Sequence, residues 1–335
     1  MPDTLNDLTS VFVKFATHPS LTAKVFVAIG GLWSLRQTFS VLGFARLYFL
    51  RSSSLKRYIT ASHGDTTTWA LVTGASDGIG KGFAEELCSR GVDVVLHGRN
   101  ERKLQGVKED LLSRWPARHI RLLVLDAGTA ASDASQLEEA AASLQDLNLR
   151  ILVNNVGGAV TPLWAPLIDR SSSDVGQFID INARFPTEIT RVLLPQLTRC
   201  QPSLIINIGS GASDFACPYI EVMTGAKAYN QAWSKSLRLE MQAEKQDIEV
   251  LHFQVGMVQS NAAQRATSLL VPSSRQLARR GLDMVGCGRE VVWPYWPHAV
   301  QFGFIGSLPE WLRNRVFLGI SLKEKALEDA QLKSR

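Results

Sequence analysis

Only four cysteines occur in the 335-residue sequence, Cys88, Cys200, Cys217 and Cys287, and no two stand at a CxxC or other paired spacing. That argues against a disulfide framework and for reduced thiols in a cytosol-facing protein. The six histidines, His18, His63, His97, His119, His252 and His298, are equally scattered. No cluster has metal-ligand spacing, so no metal is expected. Internal repeats and low-complexity tracts are missing as well. The acidic start MPDTLND has no basic n-region, and no small-residue cleavage site closes the apolar run that follows. Both features argue against a cleaved signal peptide. The net charge of +5 and pI near 9.1 come from dispersed Lys and Arg without a recognisable binding motif, so no nucleic-acid partner is expected.

What is present is a 45% hydrophobic chain, too apolar for disorder and long enough for a large α/β domain. Residues 25–45, VFVAIGGLWSLRQTFSVLGFA, match a bilayer-spanning helix in length but carry Arg36 near the middle. The strongly apolar residues supply about −4.5 kcal/mol of insertion energy, and a central Arg costs roughly +2.5 to +3.5. Insertion is therefore close to balanced. Three placements remain open: a spanning helix, a helix lying on a membrane surface, or a helix packed on the main domain. Arg46, Arg51, Lys56 and Arg57 follow the segment while Lys14 and Lys24 precede it. By the positive-inside rule the large C-terminal part faces the cytoplasm.

From residue 68 short β-rich runs alternate with longer amphipathic ones, the pattern of βαβ units. Six strands are expected at 69–73, 92–97, 121–126, 150–155, 203–209 and 248–254, with helices between them. The fold class is α/β, a doubly wound parallel sheet of the Rossmann type. The expected organisation is an anchor segment at 1–60, a dinucleotide-binding oxidoreductase domain at 61–290, and a Trp- and Pro-rich apolar tail at 291–335.

The stretch TGASDGIG follows the first strand and opens a helix. Gly74 permits the tight turn, Gly78 lets backbone approach a pyrophosphate, and Gly80 allows close helix packing, while the helix N-terminus attracts negative charge. Together with NNVG at 154–157, this spacing resembles the short-chain dehydrogenase/reductase family over about residues 68–265. The wording ALVTGASDGIGKGFAEEL is most similar to the membrane-associated branch of very-long-chain 3-oxoacyl-CoA reductases and 17β-hydroxysteroid dehydrogenases. That branch also has a hydrophobic N-terminal anchor and a tail resembling PYWPHAV here. The resemblance implies an endoplasmic-reticulum membrane location with the catalytic domain facing the cytosol, and it allows a homodimer.

Residue by residue, the resemblance assigns Asn182 to the asparagine that organises a proton-relay water. Ser210 matches the serine that hydrogen-bonds the substrate carbonyl, and Lys227 the lysine that holds the cofactor ribose. The position of the family tyrosine, four before that lysine, is occupied by Met223, which has no proton to give. Tyr229, two residues beyond Lys227, is rotated about 200° away on a helix and reads as packing. Tyr219 lies four before Met223, and a helix starting there would turn its phenol to the face of 223 and 227, at an axial offset of about 6 Å. It is a candidate substitute donor or a wall of the substrate pocket.

The cofactor set implied by the resemblance comprises Val72, Gly74, Ser76, Gly78, Ile79, Gly80, Asp126, Asn154, Asn155, Lys227, Val258 and Ser260. Asp126 would meet the adenine, and Val258 and Ser260 lie in VGMVQS, which resembles the nicotinamide loop but has Val255 in place of its usual proline. Arg99 follows the second strand, where a cation favours a 2′-phosphate over a hydroxyl, so NADP(H) is the expected cofactor.

Two functions fit. One is an NADP-dependent oxidoreductase acting on a bulky lipophilic substrate such as a 3-oxoacyl thioester, a sterol or a secondary metabolite, with a non-standard active site. The other is a cofactor-binding pseudoenzyme or scaffold repurposed for a non-redox step.

Overall fold

The computed structural model describes residues 20–60, 67–158, 161–260 and 265–333. The beginning of the expected anchor segment lies outside them. The backbone divides into two units, residues 1–52 and 53–335.

Within the first unit, helix α1 spans Leu21–Ala45 and continues as a π-helical turn over Arg46–Leu50. Ser20 caps it, its hydroxyl accepting from the Ala23 amide at 3.2 Å. Over its 30 residues this helix is long and apolar enough to cross a membrane, and Phe26, Leu32, Trp33 and Phe39 stand exposed on it.

After a short helix α2 (Lys56–Thr60), the second unit alternates strands and helices. Its strands are β1 (Trp69–Val72), β2 (Asp93–Gly98), β3 (Ile120–Val124), β4 (Leu149–Asn154), β5 (Ser203–Ile208), β6 (Ile248–Phe253) and β7 (Val291–Val292). All pair in parallel, in the order β3-β2-β1-β4-β5-β6-β7. The chain order reverses between β1 and β4, so the crevice at the carboxyl ends of those strands is where such sheets bind ligands. Strands β1, β2, β4 and β5 are almost wholly buried, which is why they read as continuous Val/Leu/Ile runs without alternation.

Helices cover both faces. On one side α3 (Gly78–Ser89), α4 (Glu101–Arg114) and α10 (Ser274–Asp283) pack on the sheet, with Phe83 stacked on Phe253 at 6.5 Å. A Cβ at Gly82 would lie 2.5 Å from the Ser274 carbonyl oxygen, so these helices touch backbone to backbone. The opposite side carries α5 (Ala127–Ala130), α6 (Ala134–Ala142), α7 (Ser172–Ile179), α8 (Phe185–Arg199) and α9 (Glu221–Ala243). There Phe185, Ile189, Leu193, Leu237 and Met241 bury themselves against Leu71, Leu152 and Ile205 of the strands. The tail supplies β7, which the sequence pattern did not suggest, followed by α11 (Trp296–Ser307) and α12 (Glu310–Lys333).

A row of polar side chains crosses the sheet near its carboxyl edge. Asn154, Asn207 and His252 are register partners on β4, β5 and β6. Asn154 Nδ2 donates to Thr190 Oγ1 of α8 and to Asn207 Oδ1, both at 2.8 Å. Asn207 Nδ2 donates to Ser234 Oγ of α9 at 2.9 Å. Ser234 Oγ gives its hydrogen to the Asn230 carbonyl at 2.6 Å, so His252 Nδ1, 3.2 Å away, is the donor in their contact. The row therefore ties α8 and α9 to three strands.

Ser234→Ala should leave both the Asn207 amide and His252 Nδ1 without their acceptor. The expected loss is about 1–3 kcal/mol per unsatisfied group, read as a lower midpoint in urea unfolding; an unchanged midpoint would show that the row does not hold α9.

Candidate active site

The turn after β1 forms the cradle. Gly74 and Gly78 have φ of +64° and +56°, which a residue with Cβ rarely adopts. A Cβ on Gly80 would come within 2.2 Å of the Gly74 carbonyl oxygen and 2.6 Å of Asn155 Nδ2. Asn155 locks this turn: Nδ2 donates to the carbonyls of Thr73 at 2.9 Å and Gly74 at 3.3 Å. Thr73 Oγ1 answers by accepting from the amides of Asn155 at 2.9 Å and Val156 at 3.0 Å. Val72 is buried directly before the turn, and Ser76 and Ile79 lie half-buried in it. His97, to which the sequence analysis assigns no role, accepts from the Gly74 amide through Nδ1 at 3.3 Å. Burial pushes its pKa down to about 4, so the imidazole is neutral and suited to accept. Beside Gly78 a cavity of about 580 Å³ opens, lined by Lys81, Gln259, Ser260, Arg265 and Arg275 among others.

At the other end of the crevice Arg99 is exposed, with Nη1 3.9 Å from Asp126 Oδ2. Asp126 in turn accepts from the Gly128 amide at 2.8 Å, which fixes its carboxylate at the end of β3. Asn154 is placed differently from its neighbour. Both of its observed amide bonds run into the polar row within the sheet, so its side chain is a strut beneath the site.

Two of the expected catalytic residues, Asn182 and Lys227, meet at Gly157. Asn182 sits in a π-helical turn, Asp180–Arg184, an irregularity common at functional sites. Its Nδ2 donates to the carbonyls of Gly158 and Phe178, each at 3.0 Å, while its buried Oδ1 has no partner among the described residues. A Cβ on Gly157 would meet Lys227 Nζ at 3.2 Å and Asn182 Oδ1 at 3.3 Å, so the two polar atoms flank the same glycine. Lys227 is buried and donates to the Ile208 carbonyl at 3.1 Å. Desolvation pushes its pKa down to about 8. Ser210 follows β5, and its hydroxyl accepts from the Ala212 amide at 3.2 Å.

The structure does not bring Tyr219 onto the helix face of Lys227. Helix α9 begins at Glu221, and Tyr219 occupies the preceding turn with φ of +70°. Its carbonyl is held by the Ala165 amide at 3.3 Å and by Arg170 Nη2 at 3.4 Å. Its side chain is half-buried in that turn. Tyr229 is exposed, and its hydroxyl meets Thr187 Oγ1 at 3.3 Å, as its helical rotation predicts.

Met223 instead joins an apolar wall. It packs with Cys217, Ile220 and Phe317, together with Leu163, Trp164 and Phe302. Stacked rings extend this wall: Trp293 on Phe302 at 4.4 Å, Phe302 on Phe215 at 5.9 Å, and Phe215 on Phe317 at 4.7 Å. Gly211, next to Ser210, is tight against them, since a Cβ there would meet both Phe302 and Trp293 at 2.7 Å. The tail thus forms one side of the site, which its aromatic composition alone did not reveal.

Val258 is buried and Ser260 half-buried, in a loop held from behind by the tail. His298 Nδ1 accepts from the Gly256 amide at 3.2 Å, and its Nε2 donates to the Leu270 carbonyl at 3.2 Å. Val255, in the place of a proline, keeps an amide and uses its carbonyl to accept from Gly211 at 2.8 Å.

Comparison with known proteins agrees with this geometry. A very-long-chain 3-oxoacyl-CoA reductase of Podospora anserina is 31% identical over 292 residues, covering 84% of this chain and 82% of that one. An inactive hydroxysteroid dehydrogenase-like protein 1 of Homo sapiens is 29% identical over 308 residues, covering 89% and 91%. Among solved structures, an alcohol dehydrogenase from the archaeon Thermococcus sibiricus, complexed with 5-hydroxy-NADP, superposes with a TM-score of 0.56 at 19% identity, covering 64% of this chain and 88% of that one. The family model described as short chain dehydrogenase matches residues 68–269, from the first strand through the loop after β6. With the glycine turn, the buried lysine and strands β1 to β6 all inside that match, the chain belongs to the short chain dehydrogenase family.

Proposed function

We propose that this protein is an NADP-dependent oxidoreductase for a bulky lipophilic carbonyl or alcohol, working without a phenolic acid. The observation that carries this reading is the buried Lys227 ammonium set beside the partnerless Asn182 Oδ1, next to an intact glycine cradle. Free decay of a site would not preserve a desolvated cation whose burial is costly. The residues fit the dinucleotide: Gly74, Gly78 and Gly80 leave room for backbone approach, and Arg99 offers a cation for a 2′-phosphate. When bound, the cofactor supplies or accepts the hydride.

The chain's own groups divide the remaining work. The bond Ser210 makes within the fold is as acceptor, which leaves its hydroxyl hydrogen for the substrate oxygen. Lys227 can hold ribose hydroxyls with the N–H groups not directed to Ile208. A ketone reduction needs a proton at the oxygen, and Met223 has none. In this reading a water between Asn182 Oδ1 and Lys227 Nζ delivers it, with the lysine near pKa 8 as the replenishing acid. The wall of Met223, Ile220, Trp164, Phe302 and Phe317 suits a lipophilic substrate, such as the 3-oxoacyl thioester that the Podospora anserina relative's name implies for that protein. The exposed apolar helix α1 supports membrane attachment, and the basic residues after it support an orientation with the larger unit toward the cytosol. The turned-away Tyr219 favours a second reading, a cofactor-binding pseudoenzyme.

Titration by nicotinamide fluorescence should show NADPH binding more tightly than NADH, and Arg99→Asp should flatten or reverse the preference. Equal affinities of the unmutated protein would remove Arg99 from the cofactor site. Deleting residues 1–52 should move most of the chain from the membrane pellet to the soluble fraction; continued sedimentation would shift the attachment to the second unit.

Met223→Tyr restores a phenol one helical turn before Lys227. Reductase activity on a lipophilic ketone, followed as loss of NADPH absorbance, should rise by roughly 10² or more. Steady turnover of the unmutated protein on the same ketones supports the enzyme. NADPH binding with no turnover until Met223→Tyr supplies the acid supports the pseudoenzyme.

A further inference from the structure

Helix α12 carries two carboxylates one turn apart, Glu324 and Glu328, and they reach opposite sides of the crevice. Glu324 accepts from Arg265 Nη2 through both of its oxygens. Arg265 belongs to the loop after β6 and lines the cavity beside Gly78 and Ser260. Glu328 takes two backbone donors from the segment after β4: the Leu163 amide at 2.7 Å on Oε1 and the Trp164 amide at 2.7 Å on Oε2. Leu163 and Trp164 belong to the apolar wall that contains Met223. About two turns before Glu324 the helix is seated by Phe317, which stacks on Phe215 at 4.7 Å.

Residues four apart on a helix move together, because one turn of backbone hydrogen bonds separates them. Charge-assisted bonds to a carboxylate are stronger than neutral ones, and among the described residues the Leu163 and Trp164 amides find their acceptors on Glu328. On Arg265 both bonds to Glu324 use Nη2, so Nη1 and Nε remain as donors for an anion in the cavity. An anion there adds to the Glu324 pair without replacing it.

We propose that Glu324 and Glu328 are positioning residues that couple the two binding sites: phosphate groups held at Arg265 fix helix α12, and α12 fixes the substrate wall at Leu163 and Trp164. Binding of cofactor and of a lipophilic substrate is then mutually reinforcing. This rests on the cofactor reading above, with NADPH occupying the cavity beside Gly78.

The test uses the full chain, with NADPH and the fluorescent fatty acid cis-parinaric acid as the lipophilic probe. The probe is titrated with and without saturating NADPH, and amide exchange is followed at residues 161–170. NADPH should tighten probe binding at least about 5-fold and slow that exchange. Glu328→Gln should bring the ratio of probe affinities near one, while NADPH affinity stays within about twofold; Glu328→Asp should keep part of the coupling, which a loss of helix stability alone would not reproduce. Glu324→Gln should weaken the coupling and leave exchange at Leu163 and Trp164 without cofactor unchanged. NADPH binding with no effect on the probe, or a ratio unaffected by Glu328→Gln, overturns the coupling and leaves the cofactor reading standing. A chain that does not bind NADPH at all overturns both.

Discussion

The site depends first on the polar row that joins Asn154, Asn207, Ser234 and His252. Burying amides, a hydroxyl and an imidazole is costly unless each finds a partner, and here the partners lie on different elements, so satisfying one places the next. Ser234 stands two helical turns beyond Lys227, so the bond that docks α9 on the sheet also sets the depth of the lysine. His252 feels that placement: burial first, then the nearby Lys227 and Lys235 charges, push its pKa down to about 3. A protonated His252 would repel Lys227 within the same buried volume. The row thus holds a cation in the protein interior and keeps its immediate neighbour neutral.

Met223, where the family resemblance implies a tyrosine, leaves this scaffold intact and gives that side of the crevice an apolar lining. A phenol has one end that requires water or a partner; a thioether is flexible and apolar, and it packs into the Ile220 and Phe317 cluster without a polar group to satisfy. The crevice consequently has a polar floor of Ser210, Asn182 and Lys227 and an apolar side. An uncompensated lysine at that boundary has its pKa lowered toward neutrality, the range in which a side chain both gives and regains protons.

The tail adds an apolar wall to the crevice at the carboxyl ends of the strands. Helix α11 brings His298 under the Gly256 loop and Phe302 against Gly211, while α12 ties the loops on either side with its acidic pair. A shallow crevice becomes an apolar enclosure because aromatic rings from the end of the chain stack on Phe215, which itself follows Ser210 by only five residues.

The sequence by itself determined the local features. Strand positions followed within a few residues from runs of apolar side chains, and the glycine turn was legible because Gly74 and Gly78 serve a backbone shape that other residues resist. Lys227 and Met223 were fixed by their spacing on one helix. Contacts distant along the chain decided the rest. The two-residue strand β7 is too short to carry a periodic signal and exists through its pairing with β6. Asn154 and Asn155 look alike in sequence, yet alternation along a strand sends one into the sheet and leaves the other on the glycine turn. Tyr219 depended on where α9 starts, and that start was set by tertiary bonds from Ala165 and Arg170 to its carbonyl, which hold a left-handed turn that no helical periodicity could foresee.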